Sequence, residues 1–142
     1  MFFPSSEIEV VAILSEAKEP LSVAGGNTRV LAPSGSKIIS TSKLSGVIDY
    51  EPGALTMIAK AGTPLSEIQK TLNSEGQCLA LDPYNWSRFI NKKGSSTIGG
   101  VFAANVSGSS RLRVGAARDF LLGIRLVDGL GNIIQNGGRV MK

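Results

Sequence analysis

Two glycine-rich stretches carry the residue types in this chain best suited to chemistry. The first is Ala24-Gly25-Gly26-Asn27-Thr28, which follows a short apolar run. A strand that runs into consecutive glycines exposes several backbone N–H groups with no side chain in the way, and such a nest can hold a diphosphate. Asn27 and Thr28 add side-chain donors. The stretch is not a Walker loop, because no Gly-Lys-Ser/Thr follows, and it is not a Gly-x-Gly-x-x-Gly fingerprint. Taken alone, it reads at least as well as a tight connection. The second stretch is Thr97-Ile98-Gly99-Gly100-Val101-Phe102-Ala103-Ala104-Asn105. A helix opening on two glycines offers free N–H groups and a positive dipole end to an anion. Ala103 and Ala104 let a backbone or a flat ring approach. Taken alone, these glycines read better as helix–sheet packing.

Further along, Val106-Ser107-Gly108-Ser109-Ser110-Arg111, then Gly115 and Arg118-Asp119, have the small polar character of a loop folded over a ligand. Arg118 and Asp119 could pair with each other, or Asp119 could cap a strand end; a structural role is the better reading for Asp119. Arg111 and Arg113 suit an anion or, more commonly, solvent. Asp82-Pro83 alone reads as a plain turn. No pair of carboxylates has the spacing or context of an acid/base site. Cys78 sits in an apolar run and reads as inert core rather than nucleophile.

The elements that must position these residues are short. Residues 5–19 read as a helix capped by Ser5 or Ser6, with Glu7 and Glu9 at its positive end, an Ile8/Val11/Leu14/Ala17 stripe, and Pro20 as its stop. Leu21–Ala24 and the "SKIIST" run read as strands. Two more strands flank a Glu51-Pro52-Gly53 turn with type II chemistry. "TPLSEIQKTLNSEG" is the clearest helix: Thr63 as cap, Pro64 first, Leu65, Ile68 and Leu72 inward, Gly76 as left-handed stop. "QCLALDP" reads as a strand, and residues 84–96 as irregular. Leu121–Val127 and Asn132–Gln135 read as a hairpin turning at Asp128-Gly129-Leu130-Gly131. The sum is an α+β domain with mixed sheets.

Composition bounds the function. The 142 residues make one domain or part of one, with net charge +4 and 42% hydrophobic residues. Glycine contributes 17 residues, well above its usual share of about 7%. Histidine is absent and Cys78 is the only cysteine. His-metal sites, Ser-His or Cys-His pairs, internal disulfides and Cys-only metal sites are therefore excluded. No stretch approaches a membrane span and no signal peptide stands at the N-terminus, so a soluble, cytoplasmic chain is expected. The sequence pI near 9.5 invites nucleic-acid binding. The basic residues are scattered, however, with only Lys92-Lys93 and Arg111/Arg113 as small clusters, so no nucleic-acid partner is expected.

In their order, these pieces resemble the FAD-binding domain of the vanillyl-alcohol oxidase type, also called PCMH-type. Within it the chain looks most like the FAD-binding subunits of bacterial glycolate oxidases (glycolate dehydrogenases). The resemblance covers residues 20–142 and rests on "VIDYEPGALTMIAKAGTPLSEIQKTLNSEGQCLALDP", "TIGGVFAANVSGSSRLRVGAARDFLLGIRL" and "GGRVMK". It implies one PCMH-type domain, 1–142, with two small α+β subdomains at about 1–82 and 83–142. It implies FAD as cofactor and oxidation of glycolate, a 2-hydroxy acid, to glyoxylate, with the flavin taking the hydride equivalent. It also implies partner subunits, a second flavin subunit and an iron–sulfur subunit.

Carried over by position, Ala24, Gly25, Gly26, Asn27 and Thr28 resemble the family's diphosphate loop. Gly62 and Thr63, with Asp82 and Pro83, resemble segments that run along the cofactor. Thr97, Ile98, Gly99 and Gly100 resemble the second contact with the diphosphate and flavin side. Ala104, Asn105, Ser107 and Gly108 resemble the loop beside the isoalloxazine. No catalytic base or metal ligand is implied. Some relatives attach FAD through a histidine just after the paired glycines; Asn27 stands there, so noncovalent FAD is expected.

In the family, "GGRVMK" continues into an Asn-Val-x-Gly-Tyr-Asp stretch, closing strands and a substrate domain. This chain stops at Lys142, so a domain incomplete at its C-terminal side is expected, inactive alone and with unpaired edges. The alternative from another class is a non-catalytic remnant or interaction module that keeps part of the fold without FAD. A UDP-N-acetylenolpyruvoylglucosamine reductase reading stands behind both, because the "TIGGVFAANVSGS" and "RDFLLGIRLVDGLGNII" runs look more like the oxidase branch.

Overall fold

The computed structural model describes residues 1–29, 33–89 and 93–138. Lys92 and the Arg139–Lys142 part of "GGRVMK" lie outside the described residues. Helix α1 (Glu7–Ser15) is capped by Ser6, whose hydroxyl accepts from the Glu9 N–H at 3.3 Å. The Glu9 carboxylate reaches back to accept from the Ser5 N–H and hydroxyl at 2.8 and 3.0 Å. These contacts, led by the Ser5 backbone N–H, hold its pKa below the ordinary carboxylate value. The sequence expectation of a helix to residue 19 with Ile8 inward is corrected. The helix ends at Ser15 and Ile8 is 77% exposed. Glu7 faces the Arg125 strand instead, where the guanidinium holds it at 2.7 and 2.8 Å. Glu7, Val11 and Leu14 are half-buried, whereas Ile8 lies on the open side of the helix.

Strands β1 (Leu21–Ala24) and β2 (Lys37–Ser40) pair in parallel, and Phe2 bridges to Ile39 on the other edge of β2. Strands β3 (Val47–Glu51) and β4 (Thr56–Ala59) form an antiparallel hairpin. Its turn is not type II. Pro52–Ala54 make a 3-10 turn, and Leu55, not Gly53, takes the left-handed conformation at φ 54°. Helix α2 (Leu65–Asn73) buries Ile68 and Leu72 and is followed by Gly76 at φ 66°. Gln77 N–H closes that end on the Leu72 carbonyl at 2.9 Å. Tyr50 hydroxyl donates to Gln77 at 2.7 Å, fastening the β3–β4 hairpin to the end of α2.

The "QCLALDP" run forms no ladder with any of the described residues. Its burial alternates, with Leu81 buried and Cys78 exposed, and Ala80 lies at a bend. The expectation of a strand carrying a core cysteine is corrected: alternating burial comes from one packed face without a hydrogen-bonded neighbour. Helices α3 (Ile98–Ala103) and α4 (Arg111–Val114) follow, then a 3-10 turn at Ala117–Phe120. Strands β5 (Gly123–Val127) and β6 (Ile133–Gly137) close an antiparallel hairpin. At its turn the Asp128 carboxylate accepts from the Leu130 and Asn132 N–H groups, both at 2.8 Å, as the Asp-Gly spacing predicts.

The centre is small. Leu81, Val101, Val106 and Ala117 form it, with Leu65, Leu79 and Phe102 against them. Among the described residues the strands make three separate two-stranded sheets. No helix there is long and apolar enough to cross a membrane.

Candidate functional site

The two glycine stretches meet. Gly26 packs so closely on the Ser95 carbonyl that a Cβ would overlap it, and Gly94 packs equally closely on the Gly26 carbonyl. A Cβ on Gly25 would stand 2.6 Å from the Thr97 hydroxyl. Thr28 and Ser96 hydroxyls bond each other at 3.2 Å. Ala24 is buried, and its carbonyl accepts from the Thr41 N–H at 2.9 Å. Glycine at these positions therefore permits backbone-to-backbone contact between segments about seventy residues apart.

The two stretches differ in their donors. Among the described residues, the N–H groups of Gly25, Gly26, Asn27 and Thr28 have no protein acceptor. Asn27 is left-handed at φ 52°, the conformation that turns successive N–H groups toward one point. At α3 the donors are used. Ile98 N–H bonds the Thr63 carbonyl and Gly99 N–H the Ala61 carbonyl, both at 2.9 Å, and Gly100 N–H bonds the Thr97 hydroxyl at 3.3 Å. The expectation of free N–H groups there is corrected, because this short helix is stitched to the chain leaving β4.

Gly62 and Thr63 belong to that stitch. Gly62 N–H bonds the Leu44 carbonyl at 2.7 Å, and a Cβ would overlap the Thr41 carbonyl. Thr63 is fully buried. Its hydroxyl lies 2.7 Å from the Lys60 carbonyl, 3.1 Å from the Gly46 carbonyl and 2.9 Å from the Gly46 N–H. It does not cap α2, as the sequence suggested; Pro64 occupies the cap position without a side-chain bond. The reason is that Thr63 closes the loop before β3.

A second cluster lies across the core. The Asp82 carboxylate accepts from the Ser109 hydroxyl at 3.0 Å and the Ser110 N–H at 3.2 Å, and Gly108 packs directly on Asp82. The Ser109 hydroxyl, chiefly, and the Ser110 N–H hold the Asp82 pKa below its ordinary value against some desolvation. Ser107 hydroxyl accepts from the Ala117 N–H and Asn105 from the Arg118 N–H, both at 3.1 Å. Asp119 accepts from the Ala116 N–H at 2.7 Å, which bears out its structural reading. Arg118 reaches Asp119 at 3.7 Å. Ala104 is exposed at the end of α3, Arg111 and Arg113 are exposed, and Pro83 lines a shallow groove of about 490 Å³ with Leu65, Gln69 and Tyr84.

The structure thus joins Ala24–Thr28 with Gly62, Thr63 and Thr97–Gly100 in one junction, and packs Asp82 on Gly108 and the two serines after it, whereas Asn105 and Ser107 bond the Ala117–Arg118 backbone instead. Sequence reasoning missed Thr41, Gly94 and Ser96. Only the small-residue run before Thr97 hinted at the last two.

The family model for the FAD binding domain matches residues 1–137. The glycolate oxidase subunit GlcE of Escherichia coli is 33% identical over 88% of this chain and 35% of its own length. A D-2-hydroxyglutarate dehydrogenase of Xanthomonas citri is 26% identical over 98% of the chain and 29% of its own. The chain spans about a third of the length of these relatives. Among solved structures, alkyldihydroxyacetonephosphate synthase superposes with a TM-score of 0.73 at 19% identity, over 94% of this chain and 25% of that one. The shared fold, the matched span and the glycine junction lead to one conclusion: the chain belongs to the FAD-binding domain family.

Proposed function

We propose that this chain is the diphosphate-holding part of a flavoprotein that oxidises a 2-hydroxy acid, glycolate, to glyoxylate. One observation carries the reading: four successive N–H groups, Gly25 to Thr28, stand without protein acceptors among the described residues, in a partly open loop. That donor set fits a doubly anionic diphosphate. FAD, when bound, supplies the hydride-accepting chemistry. The chain's own residues bind and orient it. Gly25–Thr28 hold the anion, and Gly26 and Gly94 keep the loop docked. Thr97–Gly100 and Gly62–Thr63 brace the loop, while Asp82, packed on Gly108 and bonded to Ser109 and Ser110, holds the far end of the loop where the resemblance puts the ring. With Asn27 in place of a histidine, the cofactor is held noncovalently.

The two relatives named above are named for glycolate and 2-hydroxyglutarate, which are both 2-hydroxy acids. One is named as a subunit, which supports work with partner chains; the resemblance makes these a second flavin subunit and an iron–sulfur subunit. The base acting on substrate lies outside the residues described above.

The test is the visible spectrum of the purified chain after addition of FAD and desalting. Retention of a perturbed flavin band near one equivalent is expected. A folded chain that retains none overturns the cradle. In the assembled flavoprotein, glycolate is expected to bleach the flavin faster than lactate or 2-hydroxyglutarate; the reverse order overturns the substrate assignment. One observation favours the second reading, a fold without its cofactor: the α3 donors already have protein acceptors. The same desalting experiment decides between the two.

A further inference from the structure

Beside the nest stands an aromatic cluster that packing does not explain. The chain's only tryptophan and one of its two tyrosines sit within three residues of each other. Tyr84, Trp86 and Phe89 are 49%, 41% and 67% exposed, yet they touch one another, with ring centroids 5.4 to 5.8 Å apart. The turn that presents them is built in advance: Asn85 accepts from the Ser87 N–H at 3.0 Å, and Ser87 is buried beneath. Arg29 follows Thr28 directly, and its guanidinium carbon lies 5.8 Å from the centre of the Trp86 ring. The platform is therefore one arginine side chain away from the four free N–H groups.

We propose that Trp86 and Arg29 form the purine-side clamp of this site, stacking on the adenine of the dinucleotide whose diphosphate Gly25–Thr28 hold. The inference rests on the FAD reading above and adds which end of the cofactor points toward residues 84–89. The physical case is spacing and chemistry. In a dinucleotide the purine is one ribose removed from the diphosphate. Indole and guanidinium planes both stack on a flat base. In the free chain Arg29 lies over the indole, which holds the ring in place and leaves the base to stack on the outer side of the pair. Tyr84, edge-on to Trp86 with an interplanar angle of 71°, walls one side.

Trp86 is the only tryptophan, so indole emission reports this site alone. ADP added to the 142-residue chain is expected to quench that emission, and pyrophosphate, which lacks the purine, to leave it unchanged. Trp86→Ala is expected to weaken ADP and FAD binding about tenfold, and Trp86→Phe, which keeps a ring, to restore most of it. Unchanged emission with ADP, or an unchanged FAD affinity in Trp86→Ala, overturns the clamp while retained flavin leaves the FAD reading standing. ADP quenching in a chain that retains no FAD overturns the FAD reading and keeps the nucleotide platform. Absence of both effects overturns both.

Discussion

Gly26 is where a single added carbon would meet the backbone of another segment most closely. A Cβ there would overlap the Ser95 carbonyl, a backbone atom that cannot swing aside as a side chain would. Gly26→Ala is expected to destabilise the chain by about 1–3 kcal/mol and to abolish flavin retention, because the loop must lift from residues 94–97. Gly129→Ala is the control, with nothing within 4 Å of its added methyl and an expected change below about 0.5 kcal/mol. Urea midpoints of the two variants check the contrast, and equal midpoints would refute it. In the sequence, the Gly25-Gly26 pair after a strand was legible as an anion nest or as a tight connection. Their contact was not. Ser95 is far along the chain, and no local pattern states which distant carbonyl a glycine will meet. Thr63 failed for the same reason. A threonine before proline and an apolar run looks like a cap, but the loop at Gly46 claims its hydroxyl.

At the scale of elements, local rules worked where the element closes on itself. The Asp128 turn, the Gly76 stop and strand Leu21–Ala24 all stand where the sequence placed them. They failed at α1, which turns Glu7 toward Arg125 on β5, and at "QCLALDP", which has no ladder partner among the described residues. The latter run still does work, because Asp82 at its end clamps the loop after α3. Its carboxyl pKa is depressed, so the clamp contributes fully above the ordinary aspartate value of about 3.9. It is lost only as pH falls through the lower folded-state value. The Ser110 amide resonance is therefore expected to titrate with a midpoint below that ordinary value, and Asp82→Asn to remove the transition. A midpoint at or above it would show that Ser109 and Ser110 do not bond the carboxylate in solution. Asp82→Ala is expected to loosen residues 107–110 at every pH.

The molecule as a whole exposes more surface than its mass requires. A folded monomer of 14.9 kDa presents about 7,000 Å² by the usual scaling, whereas this chain presents 9505 Å². Part of the excess lies on the β5–β6 hairpin, whose two faces are separable by register. Arg125 lies on one face and is tied to α1 through Glu7. Ile124, Leu126 and Ile134 lie on the other and are 42%, 38% and 43% exposed. An apolar strand face of this kind associates when nothing covers it. The isolated chain is accordingly expected to bind a hydrophobic dye and to sediment with a weight that rises with concentration. Leu126 and Ile134 stand directly opposite each other, so the double variant Leu126→Lys with Ile134→Glu replaces the apolar pair with an opposite-charge cross-strand pair. It is expected to abolish dye binding and association while leaving the circular dichroism unchanged. A wild-type chain that stays monomeric and binds no dye would mean that this face is covered in solution. A double variant that still associates would move the contact elsewhere, to the edges of the separate two-stranded sheets, which hydrogen-bond without regard to side-chain charge.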